Sequence, residues 1–231
     1  MNFDRKTWLF IILVGLFITN AVTAELISNK LISIPLQGNF LGLSFGPFVT
    51  VIGILPWPFV FLLTDLLNEF YGYSAVKRIS WITAALIMYC FILVGISLSI
   101  PAVSLPGSNL ADDKSYSMVF GQAQMVILGS IAAFLLSQLM DAFLFKWIKS
   151  KTGDKYIWMR STGSTVLSQL VDSYVVLFIG FVLPGNMSVS DYLAIAPTNY
   201  VLKLLIGLAL TPLIYVGHFG IRKFLSAKAS H

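Results

Sequence analysis

A polytopic, all-α membrane bundle is what three properties of this chain predict. The first is composition. Of the 231 residues, 57% are hydrophobic and only 11% are charged, with a mean hydropathy of +0.85. Soluble domains carry about 45–50% apolar and about 25% charged residues, so a compact soluble fold would lack the polar surface to cover its core. The second is length, which allows roughly six helical spans at about 20 apolar residues each. The third is the placement of Lys and Arg in short clusters between alternate apolar runs. One cysteine, Cys90, rules out a disulfide scaffold. The net charge of +5 does not indicate nucleic acid, because the basic residues mark run ends rather than a soluble face.

The apolar runs cover residues 8–31, 45–67, 79–100, 119–145, 162–183 and 200–219. Each is expected to be a helix, because lipid offers the backbone no outside partner. In the first, Val22-Thr23-Ala24 resembles a signal-peptidase site. Apolar residues resume at Leu26, which favours an uncleaved span. Before the second, Pro56-Trp57-Pro58 must kink or break a helix. A short extracellular hairpin or half-helix is therefore expected within residues 40–58. The acidic stretch 104–117 reads as a solvated turn. Residues 146–155 read as a basic hairpin closing on Thr152-Gly153-Asp154. With no soluble segment or long linker, residues 1–231 are expected to form one integral domain.

Charge assigns the sides. Arg5 and Lys6, Lys77 and Arg78, Lys146 to Arg160, and Arg222, Lys223 and Lys228 all fall at alternate connections. The intervening connections hold Asp112, Asp113 and Asp191, with Lys114 as their one basic residue. The positive-inside rule then places both termini in the cytoplasm. Trp8, Trp81, Trp147 and Trp158 fit an interfacial belt.

Ionisable groups inside spans cost about 2.5–3.5 kcal/mol each on insertion scales and usually face a cavity or a partner. Here they are Glu25, Lys30, Asp65, Glu69, Asp141, Asp172 and Lys203, joined by Asn29, Asn68, Gln138 and Gln169. Ser137-Gln138-Leu139-Met140-Asp141 recurs as Ser168-Gln169-Leu170-Val171-Asp172. Gln138 lies about 12 Å from its basic edge and Gln169 about 13 Å, at 1.5 Å per residue. The two motifs reach similar depth on antiparallel neighbours, each offering an amide and a carboxylate on one helix face. Asp65, Asn68 and Glu69 share a face of the second span; Glu69 is near the interface and equally readable as solvated. Lys203 either snorkels outward or pairs with a carboxylate, Asp172 being the best match in depth. Glu25 and Lys30 are expected to snorkel, and Asn29 to supply a hydrogen bond there. No His/Cys set has metal-ligand spacing, and no cofactor is implied.

In order along the chain stand Thr64-Asp65-x-x-Asn68-Glu69-x-Tyr71-Gly72, Gln138-x-x-Asp141, Ser164-Thr165-x-x-x-Gln169-x-x-Asp172-Ser173 and Tyr200-x-x-Lys203. This combination resembles the bacterial queuosine precursor transporter family, which is grouped with vitamin-uptake transporters; the likeness covers residues 29–215. It implies an inner-membrane protein importing 7-deazaguanine precursors such as preQ0, preQ1 or queuine-like bases. Carried over, its motif residues are Asp65, Asn68, Glu69, Gln138, Asp141, Gln169, Asp172 and Lys203. A 7-deazaguanine presents a ring N–H beside an exocyclic amine, and one carboxylate can accept both. A Gln or Asn amide can donate to the carbonyl, and aromatic rings can stack on the base.

Three functions compete on the sequence. The first is a transporter alternating access around a cavity between the fourth and fifth spans. There Asp141 or Asp172 grips the base and Gln138 and Gln169 orient it, while Asp65 and Lys203 shape the cavity. The second is a substrate-binding component needing a separate ATPase, since no phosphate-binding loop of the Gly-x-x-x-x-Gly-Lys type is present. The third is an intramembrane aspartyl enzyme in which Asp141 and Asp172 share a proton; each Asp travels with a Gln suited to binding, which disfavours it. The expected partners are the small base and membrane lipids, not nucleic acid. Small-residue helix faces permit a homodimer.

Overall fold

The computed structural model describes residues 4–28, 30–35, 38–40, 43–45, 48–103, 112–121, 124–153 and 155–226. Asn29, residues 104–111, Asp154, Lys228 and His231 lie outside the described residues. Among those described, six helices are long and apolar enough to cross a membrane. They are α1 (Arg5–Ile27), α2 (Trp57–Tyr71) with the 3₁₀ turn Ile52–Ile54 before it, α3 (Tyr73–Ser99), α5 (Gln124–Thr152), α6 (Ile157–Leu177) and α7 (Val189–Ser226). A short α4 (Asp113–Phe120) precedes α5, and a π-helical turn, Phe178–Val182, continues α6. The chain is a multi-pass, all-α helical bundle, as its composition requires.

The first connection is a hairpin. After α1, β1 (Leu31–Ile34) pairs antiparallel with β4 (Phe48–Val51), and β2 (Gly38–Phe40) pairs with β3 (Leu43–Phe45). Ile34 lies opposite Phe48 and Gly38 opposite Phe45, so the two ladders are offset by one residue. The second span is therefore shorter than residues 45–67 implied at its start. Pro56 caps α2 and Pro58 sits in its first turn, where a missing N–H costs nothing. The prolines start this helix rather than kink it. At its other end the chain turns into α3 through Gly72 alone, at φ +82°, a conformation open to glycine without a Cβ penalty.

Four boundaries differ from expectation. Part of the acidic stretch is helical: Asp112 caps α4 by accepting the Ser115 N–H at 2.7 Å, which holds its carboxyl below the usual range. Asp113 sits in the first turn, where the helix dipole favours a negative charge. The basic hairpin is mostly helix too. Helix α5 runs on to Thr152, so Lys146, Lys149 and Lys151 decorate its last turns, and the turn itself is left to Gly153 at φ +62°. The last helix is far longer than residues 200–219. Ser188 caps it by accepting the Asp191 N–H at 3.1 Å. Its 38 residues span about 57 Å, with Pro197 and Pro212 inside. The first helix, in turn, stops at Ile27, leaving Lys30 exposed beyond it.

The basic ends of the helices gather at one end of the bundle. Arg5 donates to the Phe224 carbonyl at 3.5 Å, Tyr71 to the Lys6 carbonyl at 2.8 Å, and Lys146 lies over the Tyr73 ring at 5.5 Å. The starts of α1 and α3 thus meet the ends of α2, α5 and α7, the up-and-down order that alternating charge implies. Trp8, Trp81, Trp147 and Trp158 are all exposed near this end. The core joins Phe17 of α1, Leu67 of α2, Ile87 of α3, Phe134 of α5 and Ile214 of α7. Helix α5 and the π-helical turn that continues α6 approach closely at glycine: a Cβ on Gly129 would lie 2.8 Å from the Gly180 backbone nitrogen.

A candidate substrate hollow between three helices

Three ladders of residues four apart line one hollow. Trp57, Phe61 and Asp65 come from α2, Ser161, Thr165 and Gln169 from α6, and Lys203, Gly207 and Thr211 from α7. That spacing stacks side chains on one helix face. The α2 wall is mostly aromatic and aliphatic, and the α6 wall is polar. The enclosed space is about 40 Å³, room for a few waters.

Asp65 is the buried acid of this hollow, 2% exposed. Ser161 donates to its Oδ2, while Oδ1 has no donor among the described residues. Gln169 is also buried and lines the hollow with its neighbour Thr165. Lys203 reaches in from α7, held by Asp172 at 2.5 Å. It does not snorkel; it takes the carboxylate that matched it in depth.

The other motif residues stand behind this surface. Gln138 is fully buried and donates to the Thr64 hydroxyl, and its Oε1 has no donor among the described residues. Asp141, also fully buried, accepts from Ser168 at 3.0 Å on Oδ1, with Oδ2 left without a donor. Asp172 accepts from Ser137 at 3.3 Å. Of the four residues expected to border a cavity between the fourth and fifth spans, only Gln169 lines the hollow. The reason is packing: α5 and the π-helical turn that continues α6 approach closely at Gly129 and Gly180, and the Ser–Asp bonds join α5 to α6 around these residues. The hollow opens instead against α2 and α7. Asn68 spends its amide on the Ala142 carbonyl at 2.7 Å, strapping α2 to α5. Asn29 lies outside the described residues.

Glu69 is not solvated. It binds Arg160 at 2.8 Å and Lys149 at 2.9 Å, with His218 Nε2 at 3.7 Å. Arg160 is itself buried, donating also to the Gly153 carbonyl at 2.9 Å and lying over the Phe145 ring. One carboxylate thus joins α2, α5, α6 and α7 at the basic end. The sequence puts Arg160 in a basic connection, and nothing in its local spacing marks it as the partner of Glu69. Glu25 does not snorkel either. It is 2% exposed, with Ser130 as hydrogen-bond partner and the charges of Asp172 and Lys203 bearing on it. Snorkelling fails because the 3₁₀ turn before α2 packs on that end of α1, where a Cβ on Gly53 would meet the Ala24 carbonyl at 2.8 Å. Among the described residues no group of three or more His, Cys, Asp or Glu could hold a metal ion.

The family described as "Putative vitamin uptake transporter" matches residues 51–217, a stretch that includes every wall of the hollow. The chain belongs to that family. A Bacillus subtilis (strain 168) protein named "Probable queuosine precursor transporter" is 30% identical over 158 residues, covering 68% of this chain and 66% of its own. A Haemophilus influenzae protein of the same name is 24% identical over 159 residues, or 68% of this chain and 63% of its own. The Escherichia coli (strain K12) "Queuosine precursor transporter" is 27% identical over 182 residues, or 78% and 75%. The chain spans about two thirds of the length of the first two relatives. The family read from the motifs is thus the family found. No solved structure matches the chain.

Proposed function

We propose that this vitamin uptake transporter family member imports a 7-deazaguanine-type queuosine precursor across the bacterial inner membrane. The base lies in the hollow between α2, α6 and α7. The observation that carries this reading is the free Oδ1 of Asp65, a buried acceptor between an aromatic wall and an amide. The ring N–H and exocyclic amine of the base donate to Asp65. The Gln169 amide or the Lys203 ammonium donates to the carbonyl, and Trp57 and Phe61 take the flat face. A ligand lacking those donors leaves Asp65 buried and unpaired, which discriminates strongly. The names of the relatives support the same substrate class.

The positive-inside rule puts the basic end, and with it the Glu69 cluster, in the cytoplasm. That cluster closes the bundle beneath the hollow. Small-molecule sites usually offer about 300–1,000 Å³, far above the present 40 Å³. Binding therefore requires α7 to move from α2. Pro197 precedes the α7 residues that face the hollow and Pro212 falls among them, between Thr211 and Ile214, and each removes a backbone hydrogen bond from the helix. Rocking of this segment gives alternating access.

Uptake of labelled precursor, in a strain unable to synthesise it, tests the proposal. Expression of the chain should restore accumulation and Asp65→Asn should abolish it. No uptake of any 7-deazaguanine would reject it. Purified chain in liposomes that binds base yet never moves it would instead indicate a component needing a separate ATPase.

A further inference from the structure

Two carboxylates and one amide oxygen, one carboxylate lining the hollow and the other two groups behind it, have acceptor atoms to spare. Asp65 Oδ1, Asp141 Oδ2 and Gln138 Oε1 are each buried and without a donor among the described residues. Most of the hydroxyls nearby are already committed, though Ser164 and Thr165 also bear on Asp141. Ser161 donates to Asp65 Oδ2, Ser168 to Asp141 Oδ1, Thr64 to the Val60 carbonyl at 2.8 Å and Ser164 to the Ser161 carbonyl at 3.1 Å. An unsatisfied buried acceptor is costly, and a proton held between the two acids would supply one of the three with a hydrogen.

The charges around the pair sharpen the point. Two contacts between α2 and α5 bracket the pair: Thr64 accepts from Gln138 and Asn68 donates to the Ala142 carbonyl at 2.7 Å. Asp65 and Asp141 lie between them, with Arg160 from α6 and Glu69 from α2 itself also bearing on Asp65. The cation of α7, Lys203, is taken by Asp172. Arg160 is taken by Glu69. Neither Asp65 nor Asp141 makes an ion pair among the described residues. Two neighbouring carboxylates inside a membrane cannot both stay ionised without a cation or a proton. The sequence suggested such a pairing for Asp141 and Asp172. In the folded chain the acid that answers Asp141 is Asp65.

We propose that Asp65 and Asp141 form a proton-binding site, and that one proton held there crosses the membrane with each molecule of base. This rests on the transport reading above. Protonation converts one carboxyl into a donor, which satisfies an orphaned acceptor. Asp65 lines the hollow and Asp141 does not. When the base donates to Asp65, that group must be the acceptor, so the proton is driven onto Asp141. Loaded with base and proton, the site carries one negative charge rather than two. That is the form best suited to pass through the apolar bundle.

Two measurements test this on the full-length chain. The first needs no substrate. Infrared spectra of the purified protein at neutral pH should contain a protonated-carboxyl band that shifts in D₂O and is lost in the double variant Asp65→Asn/Asp141→Asn. Identical spectra for the two proteins would overturn the proposal. The second uses proteoliposomes loaded with a pH-sensitive dye, with 7-deazaguanine as probe. An inward proton gradient should raise accumulation at least tenfold and the dye should record proton entry with the base. Asp141→Asn should lose gradient-driven accumulation while still exchanging labelled for unlabelled base, which also reports that it is folded. Normal gradient-driven accumulation by Asp141→Asn, or accumulation driven by a sodium gradient alone, would overturn it. Failure of the wild-type chain to bind or exchange the base would instead strike the transport reading, and the infrared result would still decide the proton site.

Discussion

Ser137 of α5 donates a hydrogen bond to Asp172 of α6 across 3.3 Å, and the two helices repeat the contact in reverse. Ser168 of α6 donates to Asp141 of α5 across 3.0 Å. Each serine opens one copy of the Ser-Gln-x-x-Asp motif and binds the acid that closes the other. Antiparallel helices carrying the same motif at the same depth make this clasp about a local two-fold axis. The repeat therefore joins helices, and only one of its two glutamines lines the hollow.

The clasp is expected to be modest in energy. Interhelical hydrogen bonds in membrane proteins average about 0.6 kcal/mol. The double change Ser137→Ala/Ser168→Ala should lower unfolding stability by about 1 kcal/mol, measured by denaturant titration in mixed micelles. A loss several times larger would mean that the serines hold more than these two bonds.

The Glu69 cluster should matter far more. Arg160 and Glu69 are both buried and 2.8 Å apart. Removing one partner of such a pair costs about 3–5 kcal/mol, because the other charge is left uncompensated. Arg160→Met should show that loss. Arg160→Met with Glu69→Gln should cost less than the two single changes added together, since they share one interaction. Additive losses would show that the contact carries no coupling energy.

Two glycines should respond with opposite sign. A Cβ on Gly129 would meet the Gly180 backbone at 2.8 Å, so Gly129→Ala should cost about 1–3 kcal/mol by overpacking. Gly15, in the middle of α1, has nothing within 4 Å of the same added atom. There Gly15→Ala should gain about 0.5–1 kcal/mol from helix propensity. Thermal melts of the two variants in one detergent make the comparison; equal shifts would deny that α5 and the π-helical turn pack backbone to backbone.

How legible these features were depended on what each one rests on. Helix number and antiparallel order follow from hydropathy and basic clusters, which act locally; Pro56-Trp57-Pro58 marks a break before α2, but the hairpin expected within residues 40–58 begins at Leu31, at the edge of the first apolar run. The Lys203–Asp172 pair was legible because depth can be counted along a helix at a fixed rise. What escaped was rotation about the helix axis. Nothing in the spacing of Gln138 and Asp141 says whether their face meets a gap or a neighbour; the close approach of Gly129 to Gly180, 51 residues further along the chain, bears on that and leaves no local pattern. Arg160 and Glu25 were misjudged for a related reason. Both sit near helix ends, where snorkelling is the default, yet Glu69 of α2 meets Arg160 and the 3₁₀ turn before α2 packs on the end of α1 that carries Glu25.

Lys203 and Asp172 separate support of the fold from handling of substrate. Their side chains stay 19% and 16% exposed, and Lys203 forms part of the hollow. Losing one partner leaves a lone charge in the membrane, at about 2.5–3.5 kcal/mol on insertion scales. Lys203→Met should therefore lower both stability and precursor uptake, the latter at least tenfold. Lys203→Met with Asp172→Asn removes both charges and should regain most of the stability. If Lys203 serves only as a strut, uptake should return with it. The geometry leads us to expect otherwise: the ammonium that faces the base is still missing, so uptake should stay low in a protein that is again stable. Restored uptake in the double variant would remove Lys203 from the substrate site.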